Sequence, residues 1–116
     1  MPQFLPAMAR SRLPFPDRRT AERYLCNRVC FARPNGTSLG MTWGVTICDI
    51  SAHGISLLFK QLLEDGTLLA IQPSRDSQNK PIMARVLRSL QWPHGWLHGC
   101  ELAEPLTERE LDDWLS

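Results

Sequence analysis

A chain of 116 residues is one domain's worth, enough for a modest core and too short for two. Hydrophobic residues at 43% and charged residues at 22% exclude a disordered chain. A net charge of +1 argues against a general nucleic-acid binder, which carries a basic surplus for the phosphate backbone. The charge is unevenly spread, however. Residues 1–33 hold seven arginines against Asp17 and Glu22, a balance of +5, while the remainder holds six cations against ten acids, −4. A basic first third on a mildly acidic body favours a local anion site near the start of the chain.

Residues 1–17 contain Pro2, Pro6, Pro14 and Pro16 with little apolar periodicity, and read as an extended, mobile arm ahead of a folded domain at 18–116. No apolar h-region forms in residues 1–9, so no signal peptide is expected, and no stretch is long enough to span a bilayer. Residues 24–33 form a first strand, ended by the turn signal Pro34-Asn35-Gly36. A second strand covers 41–50, with Trp43, Val45 and Ile47 on one face and Thr42, Thr46 and Cys48 on the other. The turn at 51–54 leads into a third strand at 55–59, and Glu64-Asp65-Gly66 turns into a fourth at 67–72.

Residues 73–80 are polar and loop-like. The longest strand, 82–92, is turned back at Pro93-His94-Gly95 into 96–102, with Trp92 and Trp96 expected to staple this hairpin as a cross-strand pair. Strands at this spacing with no helix between them predict an antiparallel barrel or sandwich. One helix closes the chain. Thr107 is its N-cap and Glu110 completes a capping box, while Leu111, Trp114 and Leu115 form an apolar stripe that must dock on the barrel.

Two clusters carry the chemistry. Arg18-Arg19-Thr20-Ala21-Glu22-Arg23 places Arg19 and Arg23 in RxxxR spacing, and Asp49-Ile50-Ser51-Ala52-His53-Gly54 reads DxSxxG at a strand end. A forked cation, a planar acceptor, a hydroxyl and a permissive glycine suit a small, flat, doubly phosphorylated ligand. Asp49 and Ser51, two apart on an extended backbone, share a face. Gly54 supplies either a left-handed turn or room where a side chain would block a ligand. A strand-end carboxylate facing a pocket is not a core group, so Asp49 is expected to be dispensable to the fold. Either cluster alone is a solvated arginine run or a common turn phrase; together and in this order they favour binding.

In that joint form they resemble the PilZ domain, over about residues 17–113. Gly66-Thr67-Leu68-Leu69, Ala84-Arg85-Val86, Gly99-Cys100-Glu101-Leu102 and the closing helix are similar to the rest of the family's pattern. The resemblance implies an all-β antiparallel barrel of six to seven strands with a short C-terminal helix. It also implies a cyclic di-GMP receptor with Arg18, Arg19, Arg23, Asp49, Ser51 and Gly54 at the ligand. An arginine at Arg18 directly before the pair implies two stacked ligand molecules per chain, drawing the arm onto the barrel, and a downstream protein that reads the change.

No cofactor, metal or membrane insertion is expected. His94, His98 and Cys100 lack zinc-ligand spacing, and Cys26, Cys30, Cys48 and Cys100 contain no CxxC pair, so they read as reduced thiols of a cytoplasmic protein. No P-loop, nucleophile elbow or paired-carboxylate signature points to an enzyme. Two alternatives stand beside the receptor: a PilZ-fold interaction module with weak or no nucleotide binding, and an oligonucleotide-binding barrel.

Overall fold

The computed structural model describes residues 22–35, 42–74 and 80–116. The expected arm, Arg18, Arg19, Gly36 of the first turn and the middle of the 73–80 loop lie outside these residues. Six strands follow one another: β1 Tyr24–Pro34, β2 Trp43–Ile50, β3 Gly54–Phe59, β4 Leu68–Gln72, β5 Ile82–Trp92 and β6 Gly95–Leu102. They close into an antiparallel barrel in the order β1-β2-β3-β6-β5-β4, with β4 returning to β1. Closure leaves no sheet edge, which suits strands joined by short turns.

Alternation along each strand fills the interior with Cys30, Val45, Ile47, Ile50, Ile55, Leu57, Leu69, Ile71, Val86 and Cys100. Trp43 stacks on Phe59 at 5.0 Å between ring centroids. Gly66 makes the turn before β4 with φ +91, a conformation that side chains resist.

The sequence-expected pairing of Trp92 with Trp96 is not what the barrel contains. Trp96 stands opposite Gln91, and Trp92 opposite Gly95. The two-residue turn at Pro93 and His94 sets this register, with His94 at φ 65, and successive residues alternate faces. The two indoles therefore lie on opposite faces of the hairpin.

The helix α1, Glu108–Leu115, carries the capping box as expected. Thr107 Oγ1 accepts from the Glu110 N–H at 3.1 Å, and Glu110 Oε1 accepts from the Thr107 N–H at 2.8 Å. Trp114 is buried, with Leu111 and Leu115 packed against the core. The far end of the helix has no basic residue of its own. Arg28 of β1 supplies one, donating to the carbonyls of Asp113 at 3.1 Å and Trp114 at 3.2 Å, with its guanidinium 5.1 Å from the Trp114 ring centre. A cation at a helix C-terminus satisfies orphan carbonyls and opposes the dipole.

The ladders are interrupted three times by bulges: in β1 between Leu25 and Arg28, in β2 between Ile47 and Asp49, and in β5 between Val86 and Arg88. Asn27 sits at φ 53 within the first. A bulge inserts one residue and re-aims whatever follows it.

Candidate functional site

The β2 bulge decides where the DxSxxG motif points. Ile47 stands opposite Leu57 in the core, Cys48 is the extra residue, and Asp49 stands opposite Ser56. Beyond it Ile50 pairs with Ile55 and is again in the core. Strict alternation would put Asp49 on the Ile47 face. The inserted residue turns it onto the outer wall instead. Ser56 continues to Gly99 on β6, so Asp49, Ser56 and Gly99 form one row across three strands.

Arg23, just ahead of β1, lies along this row. Its Nε donates to Asp49 Oδ1 at 2.9 Å, and its Nη2 lies 2.9 Å from the same oxygen and donates to Ser56 Oγ at 3.2 Å. The Asp49 side chain is 1% exposed and that of Arg23 13%, so the expectation that Asp49 stands apart from the fold's packing does not hold: the carboxylate is a buried, ion-paired group. A guanidinium thus sits over a carboxylate and a hydroxyl, with its plane held by two strands. Ser56 has no part in the sequence motif. Inside the apolar run Ile55-Ser56-Leu57-Leu58 it reads as an incidental core serine, and only its register opposite Asp49 gives it a role.

Ser51 and Gly54 are placed differently from Asp49. Ser51 Oγ accepts from the N–H of Gly54 at 3.0 Å and of His53 at 3.3 Å, and donates to the Gly54 carbonyl at 3.2 Å. A serine hydroxyl bonded to its own turn in this way fixes the turn's shape. The turn is also moored to the rest of the barrel: the Ala52 and His53 carbonyls accept from the N–H groups of Leu106 and Leu102 at 2.8 and 2.9 Å. Gly54 does not adopt a left-handed φ. A Cβ there would stand 2.9 Å from the Cys100 carbonyl oxygen, so the room it leaves is taken by the backbone of β6.

Compared with known families, residues 17–115 match the PilZ domain, a span that contains both motifs and the whole barrel. The chain belongs to the PilZ domain family. PilZ domains are ligand-binding receptor domains, and the six-stranded barrel with its short closing helix is the architecture expected from the sequence. No relative matches among curated proteins.

In this PilZ domain Cys48, beside Asp49 in β2, is half-buried. Burial and the neighbouring Asp49 carboxylate push Cys48 up to about 11, and burial pushes Cys30 and Cys100 up to about 12. Among the described residues no group of His, Cys, Asp or Glu could hold a metal ion, and no helix is long and apolar enough to cross a membrane. His98 is fully buried, and its Nε2 accepts from the Leu63 N–H at 3.0 Å. That bond ties the loop after β3 to the barrel interior. A cavity of about 460 Å³ lined by Arg28, Lys80, Glu110, Asp113 and Trp114 shares no residue with the row and mixes both signs of charge.

Proposed function

We propose that this PilZ domain is a cyclic di-GMP receptor that passes its signal to a downstream protein. The observation that carries the reading is the Arg23–Asp49–Ser56 constellation on the outer wall, built from both sequence motifs and held by adjacent strands. Arg23 presents a planar cation for phosphate or guanine, Asp49 a carboxylate for guanine's donors, and the Ser51-to-Gly54 turn a rigid margin. Arg19 and Arg18 add two further guanidiniums from the segment ahead of β1. Two stacked ligands bring four phosphates together, and the extra cations offset their repulsion. Binding draws that segment onto the wall, and the altered surface is what the partner reads.

A second reading, a PilZ-fold interaction module with weak or no nucleotide binding, is favoured by one observation. Asp49 is almost wholly buried and its Oδ1 already takes both contacts from Arg23. Calorimetric titration separates the two. Cyclic di-GMP is expected to bind at two molecules per chain, while GTP, GMP and a short single-stranded DNA give no heat. Absence of binding by cyclic di-GMP overturns the receptor reading, and binding of the single strand alone supports an oligonucleotide-binding barrel.

A further inference from the structure

Closure removes sheet edges along the length that the strands share, and β4 is shorter than both its neighbours. It pairs with residues 31–34 of β1 and residues 82–85 of β5. These two 11-residue strands therefore overrun it, at opposite ends. The overhang of β1 is sealed by α1, whose Trp114 carbonyl takes Cys26 and Arg28. The overhang of β5, residues 87–92, has β6 on one side and, among the described residues, no strand on the other.

The ladder pattern says which backbone groups are left over. In an antiparallel pair each residue turns its N–H and carbonyl to one side, and the side alternates. Val86 turns both towards Thr67 and Gly66, away from β6. It stands opposite Cys100, and His98 and Trp96 follow in step opposite Ser89 and Gln91. The backbone groups of Ser89 and Gln91 thus also turn away from β6, to the open side. Pro93, with no N–H, ends the run. The side chains are apolar for so open a strand: Leu87, Leu90 and Trp92 are 51%, 41% and 38% exposed. Three of the seven exposed large hydrophobics among the described residues fall within these six positions. An apolar edge with free backbone groups is a template for another strand.

The overhang is complementary to itself. Set antiparallel about a two-fold axis at Leu90, two copies bring each Ser89 opposite a Gln91, so every N–H open on Ser89 and Gln91 meets an open carbonyl. Leu90 stands against Leu90 at the axis, where side chains of a non-hydrogen-bonded pair approach closely. A register centred on Arg88 would oppose like charges. This one keeps the two Arg88 four positions apart, about 13 Å at roughly 3.3 Å per residue.

We propose that the β5 overhang is a self-association surface, where a second copy of this chain adds its own residues 87–92 antiparallel about Leu90. The two-fold contact closes on itself and gives dimers, not fibres. No residue of the Arg23–Asp49–Ser56 constellation takes part, so the inference is independent of the receptor reading. It is tested by sedimentation equilibrium of the full chain from about 1 µM to about 1 mM, the range of a small, transient interface. The wild type is expected to rise from the mass of one chain towards that of two. Leu90→Lys sets two ammonium groups together at the axis and is expected to weaken the dimer roughly tenfold or more. Gln91→Pro removes an N–H that the single barrel does not use, and should weaken it as much. Leu90→Lys carries the test if the proline variant fails to fold. Amide exchange at Ser89 and Gln91, followed by NMR, should be fast in dilute protein and slow in concentrated protein. A wild type that stays monomeric at the highest concentration overturns the proposal, as does a dimer that Leu90→Lys leaves unchanged. Slow exchange at both amides in the dilute monomer also overturns it, since the chain would then cover this edge itself.

Discussion

Asp49→Ala in the unliganded protein measures how far the candidate site is also part of the fold. The carboxylate is 1% exposed and its partner Arg23 13%. Removing one member of a fully buried pair costs about 3–5 kcal/mol, because the other is left charged and dry. Arg23 is not fully buried and keeps Ser56 as an acceptor, so its guanidinium can relax towards water. The expected cost is therefore lower, about 2 kcal/mol. For a domain of this size that lowers Tm by roughly 8–16 °C. Arg23→Ala should cost more, since it strands the deeper group. The double variant should recover part of the loss, with a coupling of about 1–2 kcal/mol. Urea melts of the four proteins give the cycle. If the single losses add to the double within about 0.3 kcal/mol, or Asp49→Ala melts with wild type, the pair is not holding β1 to β2 and this reasoning fails.

Gly54→Ala should destabilise the domain by about 1–3 kcal/mol, because its Cβ would meet a carbonyl oxygen fixed in the β3–β6 ladder; a thermal melt matching wild type counts against the close-approach account. Burial holds the His98 imidazole below its ordinary value, against backbone groups of Leu57 and Trp96 that act to raise it. Its folded-state value lies below the unfolded one, so the neutral ring's contribution is complete above about pH 6.5 and is lost as pH falls through the folded value. Unfolding free energy should thus decline from pH 7.5 to 5 and decline less in His98→Gln, whereas equal slopes would refute the assignment. With Cys30 and Cys100 buried and pushed up to about 12, these two thiols should react slowly with a disulfide reagent at pH 8 until urea unfolds the chain; prompt labelling of either in the native protein, mapped by mass spectrometry, would contradict their burial.

The strands and the helix were legible because their signals are local. Alternation marked Val45 and Ile47 as core, and Thr107 with Glu110 announced the helix start. The row was not legible, because its geometry depends on the bulges. Alternation through Val45 and Ile47 carries on to Asp49 and leaves Ile50 out of phase, a break that does not by itself say which residue the neighbouring strand leaves uncounted. Ser56 gave no signal for the same reason, as its meaning lies in a pairing seven residues distant. Asn27, in a left-handed conformation within β1, carried a compositional hint of a bulge, since asparagine tolerates that backbone better than most residues. The Trp92–Trp96 expectation failed at the register, which a two-residue turn sets and composition does not.

The grip of Arg28 on the end of α1 has a consequence for the order in which the molecule assembles. The helix is too short to persist alone, and the donor for the Trp114 carbonyl in its last turn comes from a residue 86 positions earlier. On a ribosome, β1 is made ahead of the other described elements and waits for this partner until α1 has emerged. The helix can then settle only on a β1 already paired into the barrel, because Cys26 and Arg28 must both face the Trp114 carbonyl. Helix docking is thereby a late event that reports a finished barrel, and a chain shortened by one helical turn should stall with its strands formed and its end unsealed.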